Sequence, residues 1–137
     1  MNSVLKISEA ASLALHSMII LAKNREELVS VKFMAEELDV SANHLSKVMQ
    51  RLVKSGLVHS IKGNRGGFKL AQKPEDISLL DIYEAIDGKF NPSGCLLGRN
   101  TCEPHECILG DLVRSVNNQV EEHFRNTTLS SFIKYKD

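Results

Sequence analysis

Cys95, Cys102 and Cys107 are the only thiols in the chain, and all three fall within the run SGCLLGRNTCEPHECILG. Thiolate is the soft donor that iron–sulfur chemistry uses. The C-x6-C-x4-C spacing lacks the C-x2-C knuckle of a zinc ribbon. Three ligands from one loop can still wrap a cluster, which is larger than a single ion and tolerates wider spacing. Other chemistries use the same residues. Cys102 and Cys107 are near enough in sequence to form a thiol–disulfide pair, His105 can complete a structural zinc site, and inert thiols are the remaining reading. Lys89 and Arg99 offset thiolate charge, whereas Glu103 and Glu106 oppose it.

The frame that positions these cysteines must be small. A chain of 137 residues, 42% hydrophobic and 25% charged, has the composition of one soluble domain with its own core. No run approaches the roughly 18 apolar residues of a membrane span, so no membrane partner is expected. The first residues do not read as a secretory signal, so none is expected, and an odd cysteine count then points to a reducing cytoplasm.

Net charge is zero, but the charge is segregated. Residues 41–73 carry Lys47, Arg51, Lys54, Lys62, Arg65, Lys69 and Lys73 and no acid, a net of +7 between flanks of −2 and −5. An acid-free basic stretch is the footprint of a site for a polyanion. An acidic protein partner is the competing explanation, which would make the chain a protein–protein module. An enzyme is not expected: no glycine loop cradles phosphate, no nucleophile has an obvious base, and the NRGG turn is too short for a nucleotide.

The pattern of elements favours DNA. Ser8 can cap a helix through EAASLALHSMIILAK, apolar on most of its circumference, which implies that a second subunit supplies part of its cover. VKFMAEELD reads as a second helix, with Phe33, Met34 and Leu38 inward and Glu36 and Glu37 outward. After a short turn at residues 39–41, Ser41 caps VSANHLSKVMQRLVKSG, where Leu45, Val48, Met49, Leu52 and Val53 follow the spacing of one buried face and Gly56 stops the helix. Two helices so joined make a helix-turn-helix. LVHSI and FKLA around KGNRGG add a hairpin, the wing of a winged helix, with Lys62, Asn64 and Arg65 at its tip. Ser78 and Asp81 form a capping box at the start of LLDIYEAIDG, which Gly88 ends. Beyond the cysteine loop, Ile108, Leu112, Val116, Val120 and Phe124 recur every four residues, a narrow stripe suited to a partner helix. Thr128 is placed to cap a last short helix from Phe132 to Tyr135. The fold expected is mainly α: a winged helix-turn-helix over 1–88, a cysteine loop over 89–107, and a long dimerisation helix with a short terminal helix over 108–137.

A helix-turn-helix followed by LVHSIKGNRGGFKLA, ISLLDIYEAIDG and three clustered cysteines resembles the Rrf-two family of winged-helix regulators, which includes IscR and NsrR. The resemblance spans nearly the whole chain and is most specific from Gly56 to Gly88. It implies a homodimeric transcriptional regulator that binds a double-stranded DNA operator. It also implies an iron–sulfur cluster on Cys95, Cys102 and Cys107, whose state controls that binding. Two departures from the family bear on the fourth ligand. The histidine that IscR-like proteins place three residues after the last cysteine is here Gly110, and the first-helix aspartate of NsrR-like proteins matches Ser12. Ser12, Glu9, His16, His105 or solvent must take that place, and three cysteines without the histidine lean towards a 4Fe-4S rather than a 2Fe-2S cluster. One residue has also moved across the middle cysteine relative to the family's common arrangement.

The start of a recognition helix points at base edges in the major groove. Asn43, His44, Ser46 and Lys47 are therefore candidates for bases or nearby phosphates, and Arg51 and Lys54, further along, for phosphates. Lys62, Asn64 and Arg65 at the wing tip are candidates for the backbone or minor groove. The resemblance implies relatives with Glu where this chain has Ser46, so their operator sequences are not expected to transfer.

Overall fold

The computed structural model describes residues 4–95, 97 and 107–133. Helix α1 (Glu9–Lys23) starts where the Ser8 hydroxyl accepts the Ala11 N–H at 3.0 Å. Its buried residues are Ala11, Leu13, Ala14, Ser17, Met18, Leu21 and Ala22. They contribute to one core in which α1 packs on the two helices that follow it, on a fourth helix and on the C-terminal turn. Most of the cover for this apolar helix therefore comes from its own chain.

Ser30 caps α2 (Val31–Leu38) through the Phe33 N–H. Met34 and Ala35 are buried and Val31 and Leu38 half-buried, but Phe33 is 44% exposed. The inward reading of Phe33 is thus corrected. At roughly 100° per residue, position 33 leaves the stripe formed by 31, 34, 35 and 38. The turn that follows is closed by Asp39 in the left-handed region, φ 54°. The Asp39 N–H donates to Glu36 O and the Val40 N–H to Ala35 O, the double closure of a Schellman end, with aspartate where glycine is usual.

Ser41 caps α3 (Ala42–Lys54) through the His44 N–H at 3.0 Å. Leu45, Val48, Met49 and Leu52 form its buried face. Gly56, φ 84°, allows the same closure at the other end, with Gly56 N–H on Val53 O and Leu57 N–H on Leu52 O. The chain turns at once into β1 (Val58–Ile61), which pairs antiparallel with β2 (Gly67–Leu70) from Val58↔Leu70 to Ile61↔Gly67. Val29, ahead of α2, adds a third rung by exchanging two backbone hydrogen bonds with Phe68 at 2.9 and 2.8 Å. A side chain at Gly67 would lie 2.7 Å from Val29 O, so glycine is required for this approach.

A single 3₁₀ turn, Pro74–Asp76, leads to α4 (Leu79–Asp87), whose capping box between Ser78 and Asp81 is complete. The long helix, α5 (Leu112–Asn126), begins later than the stripe implied. Gly110 with φ 57° places Ile108 in a turn before it. Along α5 burial rises towards its end: Leu112 is 57% and Val116 39% exposed, Val120 is half-buried, and Phe124 packs at 5.7 Å from the Tyr83 ring. Leu129–Phe132 forms a 3₁₀ turn, and the rest of the expected short helix, up to Tyr135, lies outside the described residues. Thr128 does not cap that turn through its side chain; its hydroxyl pairs with Ser130 at 2.6 Å. Leu129 is fully buried and its N–H meets Ile77 O.

Candidate nucleic-acid interface and cysteine segment

On α3 the buried residues occupy one side of the helix, so the centre of the outward face falls opposite them. At about 100° per residue, that centre is the stripe Asn43, Lys47, Gln50 and Lys54. All four are exposed. Ser46 lies on one edge of this face and is half-buried. His44 and Arg51, seven residues apart, share the other edge.

That second edge looks at the protein. The His44 Nε2 is 4.0 Å from Glu9 at the start of α1; both side chains are largely exposed, so the pair is screened by water. The Arg51 guanidinium donates to the carbonyl of Ile86 in the last turn of α4. Beside it, the Ser8 hydroxyl lies 2.9 and 2.8 Å from the two carboxylate oxygens of Asp87. The starts of α1 and α3, the later part of α3 and the end of α4 thus meet at one polar junction. Sequence reasoning missed this junction, although Asp87 gave a signal. A carboxylate in the last turn of a helix opposes the helix dipole and needs a partner elsewhere. Gln50 was also left out of the candidate set, and the helical arithmetic above would have included it.

At the wing, Lys62, Asn64 and Arg65 are exposed around the turn that Gly63 (φ 117°) permits. The hairpin is rooted on the end of α3, so the acid-free stretch 41–73 forms two adjoining basic surfaces. Lys47, Lys54, Lys62 and Arg65 have no ion-pair partner among the described residues.

The cysteine segment leaves α4 through Gly88 and is fastened on both sides. The Phe90 N–H donates to the Glu84 carboxylate at 2.7 Å, and the Phe90 ring stands edge-on to Tyr83 at 5.5 Å. Asn117 of α5 donates to Ser93 O at 3.0 Å, while the Cys95 N–H donates to the Ser93 hydroxyl at 3.1 Å. Cys95 is half-buried; so is Cys107, whose carbonyl accepts the Gly110 N–H just ahead of α5. Cys102 and His105 lie outside the described residues. Of the fourth-ligand candidates on α1, Glu9 and His16 are exposed and Ser12 is half-buried. The His16 Nδ1 is 2.7 Å from Ser12 O. Tyr83, between the segment and α5, has its phenol pushed above the ordinary value of 10.0 by burial first and then by the charges of Asp87 and Glu84.

A helix-turn-helix with an exposed polar stripe, followed at once by a basic wing, defines a winged-helix DNA-binding regulator. No described helix is long and apolar enough to cross a membrane. The sequence model of the Rrf2 family, described as "Iron-dependent Transcriptional regulator", matches residues 7–135, and the chain belongs to that family. It is 32% identical over 134 residues to the HTH-type transcriptional regulator NsrR of Bacillus licheniformis, covering 97% of this chain and 87% of that one. Among solved structures, CymR, the global cysteine regulator of B. subtilis, superposes with a TM-score of 0.80 at 32% identity, covering 98% of this chain and 100% of that one. The T. potens IscR superposes with a TM-score of 0.71 at 28% identity, covering 93% and 85%. These relatives are regulators, and the chain is a transcriptional regulator rather than an enzyme.

Proposed function

We propose that the chain works as a homodimer whose binding to a double-stranded DNA operator is set by an iron–sulfur cluster on Cys95, Cys102 and Cys107. Residues 1–88 read DNA, 89–107 hold the cluster, and 108–137 pair the subunits. The observation that carries this reading is the attachment of the cysteine segment to α4 and α5 at once, through Phe90, Ser93 and Asn117. A segment so held can transmit its state to both the DNA-reading part and the pairing helix. The donor chemistry fits: three thiolates suit a cluster and supply soft ligands to iron. The family description as iron-dependent points the same way.

Base and phosphate contacts are assigned to Asn43, His44, Ser46, Lys47 and Lys54 on α3 and to Lys62, Asn64 and Arg65 on the wing; Arg51, a phosphate candidate by sequence, is set apart because its guanidinium donates to the Ile86 carbonyl. The exposed Leu112 and Val116 of α5, continued by the 90% exposed Ile108, supply the apolar face for a second copy. A dimer of this kind reads half-sites about 34–36 Å apart, so a small change in the spacing of the two α3 helices removes contacts on one side. For the fourth ligand His16 has the best preparation. Its Nδ1–H donated to the Ser12 carbonyl leaves Nε2 as the lone-pair nitrogen of the neutral ring, the arrangement that metal-bound histidines use. A 4Fe-4S cluster is the form we favour.

Anaerobic reconstitution with ferrous iron and sulfide, followed by visible absorption, iron counting and a Mössbauer spectrum, tests the cluster. Operator affinity of the Cys95, Cys102 and Cys107 triple serine variant tests its control. Iron uptake that fails in the triple variant, with altered DNA affinity, is the expected result. Protein that takes up no iron but changes its DNA affinity on oxidation would assign the cysteines to a thiol–disulfide switch instead.

A further inference from the structure

The end of α4 is electrostatically incomplete by itself. Its last carbonyls have no intrahelical partner, and a cation there would complement the dipole. Yet its last turn contains no basic residue and finishes in Asp87. The missing cation comes from another helix. Arg51 of α3 places its guanidinium on the Ile86 carbonyl, the role that arginine plays at helix ends when it comes from the same helix. Its place on α3 agrees with this. Arg51 is off the centre of the outward stripe and shares an edge with His44, which faces Glu9 of α1. Two elements of the recognition surface are therefore held by the same junction that Ser8 and Asp87 close.

We propose that Arg51 is a positioning residue: its bond to Ile86 fixes the recognition helix to the end of α4 that opens into the cysteine segment, and so carries the state of that segment to the DNA surface. The inference rests on the functional reading above and adds the connection within the subunit. From Cys95 the path runs through Ser93 to Asn117 of α5, and through Phe90 to Glu84 and Tyr83 of α4. Ile86 lies in the next turn, and Arg51 completes the path to α3. Displacing the segment around Cys95 displaces the end of α4, and Arg51 then rotates or releases the helix that reads bases.

Two measurements on the full chain decide this, using Arg51→Gln and Arg51→Lys, with melting curves to check folding. The first needs no DNA. Amide exchange at Gly88 and Phe90, both bonded to Glu84, should accelerate severalfold in Arg51→Gln and remain near the parent in Arg51→Lys, which can still reach a carbonyl. Unchanged exchange in Arg51→Gln would overturn the attachment. The second uses a duplex selected from a random-sequence pool, with the protein reduced or alkylated by iodoacetamide. Coupling networks of this kind carry about 0.5–2 kcal/mol, so Arg51→Gln should weaken binding roughly 2- to 30-fold. The salt dependence should stay parallel to the parent, and the parent's response to alkylation should vanish. A log–log slope reduced by about 0.9 per subunit, with the alkylation response intact, would make Arg51 a phosphate contact and refute the proposal. Binding by the parent that ignores alkylation refutes the transmission. A parent that binds no duplex refutes the functional reading, while the exchange experiment still judges the attachment.

Discussion

Removing Lys62 and Arg65 together should loosen the hold on duplex DNA by an amount that depends on salt in a calculable way. Of the exposed cations without an ion-pair partner among the described residues, four are assigned to DNA: Lys47 and Lys54 on α3, and Lys62 and Arg65 on the wing. If each neutralises one phosphate, the proposed dimer makes about eight contacts, and the slope of log affinity against log salt is about −7. Each doubling of salt then weakens binding roughly 150-fold in the parent. The Lys62→Ala, Arg65→Ala double variant keeps about four contacts, a slope near −3.6 and a roughly 12-fold loss per doubling. Fluorescence anisotropy of a labelled duplex across a potassium chloride series measures both slopes. Because phosphate contacts position but do not specify, the double variant should rank different duplexes as the parent does, whereas Lys47→Ala should reorder them. A double variant with the parent's slope would show that the wing makes no contact, and a parent slope near zero would dismantle the electrostatic reading entirely.

Other parts of the structure make separate predictions. Gly67→Ala forces a methyl to 2.7 Å from Val29 O, so the two Val29–Phe68 hydrogen bonds must lengthen. At roughly 0.5–1.5 kcal/mol per bond, urea unfolding should show a loss of about 1–3 kcal/mol; a smaller loss would mean that the third rung gives freely. Ser17 is fully buried with no partner for its hydroxyl among the described residues, so Ser17→Ala should stabilise the fold by about 1 kcal/mol, and destabilisation of that size would reveal a hydrogen bond. The raised pKa of Tyr83 means that the folded state holds this proton more tightly than the unfolded chain does. Its contribution is complete below the ordinary phenol value of 10.0 and is lost as pH rises through the folded value. Tyr83→Phe should therefore flatten the alkaline fall in melting temperature, and an unchanged profile would place the titration elsewhere.

How much of this was legible in the residues depended on whether the signal was local. Caps and stops were readable because one or two neighbouring side chains make them: Ser8, Ser41, the Ser78–Asp81 box, Gly56 and Gly88 all act within a few residues. The buried stripe of α3 was readable because a 3.6 period is a property of the sequence. Phe33 went wrong because an eight-residue helix offers too few turns to fix which side faces the core. The start of α5 went wrong because apolar spacing continues through a turn that Gly110 makes non-helical. What the residues signalled only at Asp87 was the junction of Glu9, His44, Arg51, Ile86, Ser8 and Asp87. Its members lie up to 79 positions apart, and only the packing of α1, α3 and α4 brings them together.

A chain of zero net charge presents a basic face because its charges are segregated: every acid lies outside 41–73, while α3, the wing and the residues that follow carry seven cations between them. A few of the acids are tied to other groups: Asp81 in a capping box, Glu84 on the Phe90 N–H, Asp87 on Ser8, and Glu121 on Arg125 within α5. The cations of α3 and the wing are left to solvent, where a phosphate can replace water at little cost. Arg51 differs from them because it borders the acid-rich end of α4, where an unpaired carbonyl competes with DNA for its guanidinium. A bond made inside the protein needs no counterion release, so salt leaves it largely unmoved. The same arginine can thus hold the recognition helix steady while the cations around it come and go with the duplex.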